Sequence, residues 1–234
     1  MREDVFITTQ NYTKFEALCQ DLLNTSLGLE MAIVVGSSGR GKSMSAERII
    51  TMNQNTVLVR FQDRFTHVGL IREIGFMLGG TRPRSTDRCF EIIQNELAYR
   101  RRIILVDEAD RMSLRHFNTL RDLHDVLKAP IVMIGEESIL TQLERERRLK
   151  SRVAYEIRFE PIGQVDVAAF YRAAMNQGLT TKQAVTLARH SGGDFRRVIN
   201  DAIQIERTMK ASGLRDVTDE LVKEICGENG SPSA

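Results

Sequence analysis

Residues 36–43 read Gly-Ser-Ser-Gly-Arg-Gly-Lys-Ser, a G-x-x-x-x-G-K-[ST] spacing that assembles the groups a polyphosphate needs. Gly36, Gly39 and Gly41 permit a tight turn whose backbone N–H groups point inward, at the start of a helix where negative charge is already favoured. Lys42 offers a cation to the β- and γ-phosphates, and the Ser43 hydroxyl offers Mg²⁺ a ligand. Ser37, Ser38, Arg40 and Met44 complete the stretch expected to line a nucleotide. A second chemical group follows the apolar run Ile103-Ile104-Leu105-Val106, where Asp107 and Glu108 stand together. Asp107 suits a carboxylate that holds Mg²⁺ directly or through water, and Glu108 suits a base that polarises an attacking water. Such acids also cap helices; a phosphate loop upstream favours the catalytic reading.

These residues need strands to bring them together. Residues 31–35 read as a buried strand entering the loop, and a helix over 43–51 leaves it. Further strands are expected at 56–61, 103–107, 131–134 and 154–159. Thr13-Lys14-Phe15-Glu16 offers a capping box for a lead-in helix within residues 1–30, with Phe15, Leu18, Leu22 and Leu23 at helical spacing. Val68, Ile71, Ile74, Phe76 and Met77 suggest a helical stripe ending at Gly79-Gly80, and helices are expected over 86–100 and 112–127. A short helix carries Leu140 and Leu143 before the basic run 145–152. Strands alternating with helices argue for a doubly wound α/β fold, a mainly parallel five-stranded sheet occupying residues 1–160. In an open sheet of this kind the strand C-termini converge on the ligand crevice, which is where Lys42 and Asp107 should meet.

Beyond Pro161 the pattern turns helical, with helices expected at 165–176, 181–190, 194–210 and 218–226. Residues 161–226 thus form a small α-helical lid domain, and the polar residues 227–234 read as a disordered tail. The formal net charge of +2 is nearly neutral, so any case for nucleic acid rests on where the basic residues lie. Cys19, Cys89 and Cys226 are odd in number and lack C-x-x-C spacing, which suits a reduced, cytoplasmic protein with packing cysteines. No apolar run approaches the roughly 20 residues that span a bilayer, so no membrane partner is expected. His67, His116, His124 and His190 have no metal-ligand spacing, and Phe61, Phe65, Phe76 and Phe90 read as core.

Taken together, the phosphate loop, the acidic pair and the helical appendage resemble the AAA+ ATPases over nearly the whole chain. That resemblance implies an ATPase using ATP and Mg²⁺, with ATP bound between subunits of a homo-oligomeric ring or helical filament. It also implies a finger arginine before the last strand. Within Arg148-Leu149-Lys150-Ser151-Arg152, Arg152 fits that role, with Arg147 and Arg148 as alternatives. Gly193-Asp194-Phe195-Arg196 matches the context of the family's lid arginine, which points to Arg196. After the fourth strand the family carries a polar residue that places water. This chain has Glu136, Glu137 and Ser138 there, with Glu136 the nearest match. Domain size and segments such as Gly192-Gly193-Asp194-Phe195-Arg196-Arg197 look like the target-selecting ATPases of DNA transposition, the phage Mu transposition protein B group. The partners that likeness implies are duplex DNA bound without sequence preference and a transposase. Arg64, Arg82, Arg84, Arg111 and Arg115 are the candidate DNA contacts, against the alternative that they are solvated helix faces. Secretion ATPases of the ExeA type and replication loaders or initiators are the alternatives. No helix-turn-helix pattern follows residue 226, which disfavours a sequence-specific initiator.

Overall fold

A computed structural model describes residues 1–2, 4–24 and 31–227. They form two compact units, one of residues 11–37 and 41–159, the other of residues 1–10, 38–40 and the chain from 160 onward. The first alternates helix and strand: α1 (Gln10–Asn24), β1 (Met31–Val35), α2 (Lys42–Met52), β2 (Thr56–Arg60), α3 (His67–Gly79), α4 (Thr86–Tyr99), β3 (Ile103–Asp107), α5 (Leu114–Leu127), β4 (Ile131–Gly135), α6 (Ser138–Arg145), α7 (Arg147–Lys150) and β5 (Val153–Arg158). Its five strands pair in parallel in the order β2-β3-β4-β1-β5. Every residue of β1, β3 and β4 is buried, as strands covered on both faces must be. The edge strand β5 is largely exposed.

Register decides which residues meet at the carboxyl edge. Val35 lies beside Gly135 and Arg158, and Arg60 lies beside Asp107. The loops that leave β1, β3 and β4 therefore start level with one another. Phe159, just past β5, donates its N–H to the Val35 carbonyl at 2.7 Å and stacks edge-on against Phe15 of α1 with centroids 6.1 Å apart. That ring and its backbone form a wall for the start of the phosphate loop.

Several local expectations are corrected. The lead-in helix begins at Gln10 rather than at a Thr13 cap, because Glu16 is taken by the Tyr12 hydroxyl at 2.7 Å and Tyr12 itself joins the buried stripe. In α3 the buried face runs through Leu70, Ile74 and Leu78, four residues apart; Met77 is exposed, and half-buried Phe76 carries the Arg82 guanidinium over its ring at 4.1 Å. The helix expected from Met112 starts at Leu114, after a 3₁₀ turn over Ala109–Arg111 and a Ser113–His116 capping box. The arginines after α4 reach the ends of other helices. Arg101 donates to the Leu22 carbonyl in the last turn of α1, and Arg102 to the Leu78 carbonyl in the last turn of α3. Both satisfy orphan carbonyls at the negative end of a helix dipole.

The second unit contains α8 (Gln164–Met175), α9 (Thr181–Ser191), α10 (Phe195–Ser212) and α11 (Asp219–Ile225). Val167, Tyr171, Leu187, Val198 and Ile205 form its core, and Val5 and Ile7 of the N-terminal segment pack against it. Thr180, Asp194 and Thr218 accept hydrogen bonds from backbone N–H groups at the starts of α9, α10 and α11. Residues 228–234 of the expected tail lie outside the described residues.

Phe117 of α5 is 1% exposed in the core under the sheet. Phe117→Ala should destabilise the protein by about 3–5 kcal/mol, read as a lower urea midpoint at unchanged slope.

Candidate nucleotide-binding site

Sequence chemistry sets the loop's shape. Gly41, the residue before α2, has φ 88° and ψ 14°, a left-handed conformation open to glycine at no steric cost. A Cβ at Gly36 would lie 2.8 Å from the Phe159 carbonyl oxygen, so only glycine lets the loop pass that wall. Lys42 begins α2, is 9% exposed, and donates Nζ to the carbonyls of Gly36 at 2.6 Å and Ser37 at 3.0 Å. Burial pushes its ammonium below the ordinary lysine range, against the opposing pull of Glu136, Asp107, Asp110 and Glu108. Lys42 thus lies within electrostatic reach of the acids that close and follow β3. Ser43 follows on the first turn of α2, and Met44 is 54% exposed.

Asp107 closes β3 and is buried. Its Oδ1 accepts the Glu108 N–H at 3.0 Å, while Oδ2 is buried without a hydrogen-bond partner among the described residues, with Arg60 Nε 3.8 Å away. A buried carboxylate oxygen lacking a donor is costly. A hard cation or its water would satisfy it, so the oxygens of Asp107 and Ser43 fit the sparse protein ligation typical of Mg²⁺. Among the described residues no group of three or more His, Cys, Asp or Glu side chains could hold a metal. Glu108 takes φ 59° and ψ 32° as the chain turns from β3 into the 3₁₀ segment. A non-glycine residue held there stores about 1–2 kcal/mol, and such strain gathers at functional sites.

Two residues escaped the sequence reading. Arg60, brought beside Asp107 by register, donates to Glu47 Oε1 of α2 at 2.6 Å. Only the β2–β3 pairing could have disclosed it. Asp110 holds the end of β4: its Oδ1 accepts the Glu136 N–H at 3.0 Å, its carbonyl accepts Gln142 Nε2 at 3.0 Å, and a Cβ on Gly135 would sit 2.3 Å from that Oδ1. Its spacing from Asp107 was visible, but its role needed β4 as neighbour. Glu136 is exposed, directly after β4.

Ser38, Gly39 and Arg40 belong to the helical unit, where Arg196 on the first turn of α10 donates to Ser38 Oγ at 2.7 Å. Arg152 is engaged with Asp125 of α5, donating Nε to Oδ1 at 2.8 Å and Nη2 to Oδ2 at 3.4 Å. Arg147 and Arg148 are exposed and line a cleft of about 570 Å³ with Asn118 and Arg121. Of the candidate DNA contacts, Arg82 is paired with Glu73 at 2.7 Å, Arg111 with Asp63, and Arg64 donates to Gln62 at 2.7 Å. Arg84 and Arg115 are exposed, and their side chains have no hydrogen-bond or ionic partner among the described residues. No described helix is long and apolar enough to cross a membrane.

A five-stranded parallel sheet with a phosphate loop after its β1 strand and acids after β3 defines a P-loop protein of the AAA+ architecture. A family profile described as "AAA domain" matches residues 27–143, and the chain belongs to that family. It is 24% identical over 179 residues to the Mu-like prophage FluMu DNA transposition protein B of Haemophilus influenzae, covering 71% of this chain and 61% of that protein. It is 22% identical over 203 residues to the ATP-dependent target DNA activator B of Escherichia phage D108, covering 83% and 64%. Among solved structures, the Aeropyrum pernix ORC2 protein, determined as ADPNP and ADP complexes, superposes with a TM-score of 0.72 at 14% identity, covering 99% of this chain and 72% of that one. The chain spans about half to just under two thirds of the length of the curated relatives it matches.

Two outcomes follow from the geometry. Glu108→Gly should raise stability by about 1 kcal/mol in urea denaturation, because glycine adopts the left-handed turn without strain. The Arg152 hydrogen bond holds the Asp125 carboxyl below its ordinary range. A depressed carboxyl contributes stability that is complete above its unfolded value near pH ~4 and is lost as pH falls through the folded value. Arg152→Ala should therefore flatten the urea midpoint against pH over that acid limb, the two proteins converging at the lowest pH.

Proposed function

We propose that this chain is an ATP-dependent, sequence-nonspecific DNA-binding ATPase. It would oligomerise on duplex DNA as a ring or helical filament and act in DNA transposition as target selector and transposase activator. The observation that carries the reading is the buried Lys42 ammonium at the start of α2, drawn on by the carboxylates of Glu136, Asp107, Asp110 and Glu108. A triphosphate needs both elements: the cation and N–H groups for its charge, and the acids for a metal and a water. Lys42 and the loop from Gly36 to Ser43 bind and orient the phosphates. Asp107 and Ser43 would hold Mg²⁺, which supplies charge neutralisation on the phosphate oxygens. Glu108 orients the attacking water and takes its proton at the carboxylate, with Glu136 assigned to help place that water. Arg196 stabilises charge on the phosphates from α10, and Arg152, with Arg147 and Arg148 as alternatives, serves as the finger supplied to a neighbouring copy.

The DNA-directed part is supported by the names of the transposition relatives and by the exposed arginines. Arg84 and Arg115 are the strongest contacts because their guanidiniums are uncommitted among the described residues. Arg64 is nearly so, while Arg82 and Arg111 would first have to leave Glu73 and Asp63.

Retention of unrelated duplexes across a salt series, with and without Mg·ATP, tests the reading. Expected is ATP-dependent, sequence-independent retention that persists in Glu108→Gln and is lost in Lys42→Ala. Arg84→Ala with Arg115→Ala should lower the slope of log affinity against log salt by about 2, one phosphate contact for each arginine. Absence of ATP-dependent retention even at low salt would defeat the DNA role and favour an ATPase acting on protein, such as a secretion factor.

A further inference from the structure

The G-x-x-x-x-G-K-[ST] spacing leaves position 40 free, yet an arginine stands there, in a loop already served by Lys42. Its guanidinium is spent within the helical unit, where Arg40 Nη1 donates to the Gly192 carbonyl at 2.7 Å. Gly192 is the left-handed residue that ends α9, so the guanidinium sits at the negative end of that helix. The rest of the loop's tip is fastened to the same turn. The Phe195 N–H donates to the Gly39 carbonyl at 2.9 Å, and Arg196 Nη1 donates to Ser38 Oγ at 2.7 Å. The fit is close: a Cβ on Gly39, at φ +77°, would lie 2.0 Å from Asp194 Oδ1, and one on Gly193, at φ +73°, would lie 2.4 Å from Arg40 Nη1. Asp194 is itself fixed by the Arg196 N–H at 2.7 Å.

We propose that Arg40 is a positioning residue that pins the tip of the phosphate loop to the Gly192-Gly193 turn and thereby sets the loop's affinity for a nucleoside triphosphate. An anchored tip presents its backbone N–H groups without first being ordered, so binding avoids that entropic cost. The anchor stands on geometry alone, and its effect on nucleotide rests on the ATPase reading above.

Hydrogen–deuterium exchange of the nucleotide-free protein and titration with a fluorescent ATP analogue, each on wild type, Arg40→Ala and Arg40→Lys, test the proposal. Circular dichroism first confirms that each variant is folded. In Arg40→Ala, exchange should rise by about three- to tenfold in peptides covering 38–41 and 192–196 and stay unchanged in the β3 and β4 peptides. The analogue's Kd should rise by a similar factor, and Arg40→Lys, which keeps a donor, should recover part of both losses. Unchanged exchange at the two segments would overturn the anchor. Faster exchange with an unchanged Kd would overturn the positioning role. If wild type does not bind the analogue, the ATPase reading fails, and exchange still decides whether the anchor exists.

Discussion

The α/β unit is built to keep one ammonium, Lys42, largely out of water at the start of α2 without letting it lose its counter-charges. Burial alone would favour the neutral amine; the two loop carbonyls and the electrostatic pull of four carboxylates oppose it. Those acids come from the end of β3 and from the loops after β3 and β4. Nothing local in the chain joins these loops to Lys42: Glu136 is 94 residues away by its number. The parallel register does, by ending β1, β3 and β4 along one edge. A cation placed in this way is committed in charge yet movable in partner, since both its hydrogen bonds are to neutral carbonyls that a phosphate oxygen can outbid.

Around that centre, close approaches and left-handed turns occur where loops leave the sheet. Gly36 skirts Phe159, Gly41 turns left-handed, Glu108 does so without being glycine, and Gly135 makes room for Asp110. The interiors of the central strands hold no left-handed residue. Those of β1, β3 and β4 are continuous buried runs whose burial supplies the stability against which a strained turn of about 1–2 kcal/mol can be held. Asp107 Oδ2, buried without a donor among the described residues, belongs to the same pattern: a locally unfavourable group fixed by a favourable scaffold.

Three uses of arginine stand out. Arg101 and Arg102 finish helices by reaching the orphan carbonyls of α1 and α3. Arg82, Arg111 and Arg152 are bound to carboxylates of their own unit. Of the candidate contacts, Arg84, Arg115, Arg147 and Arg148 stand exposed without a carboxylate partner among the described residues. This sorting narrows the candidate contacts of a nearly neutral protein more than net charge could, because a guanidinium already in a bidentate pair loses that pair on binding DNA.

Much of this was legible in the sequence. The loop motif, the five apolar strand segments, the acids after the third of them and the change to helical spacing past Pro161 are all local patterns, and local patterns survive in one dimension. Helix starts were less legible, as at Gln10 and Leu114, because they depend on competing side-chain partners such as Tyr12 with Glu16. The partners of Arg60, Asp110, Arg101 and Arg102 were not legible at all. They are set by which strands lie side by side and which helix ends fall within reach. By itself the sequence determined the chemistry on offer, an anion-binding loop and a set of carboxylates. The tertiary structure alone decided which acids act on Lys42 and which arginines remain free, because strand order and register, not spacing along the chain, fix distances between charges.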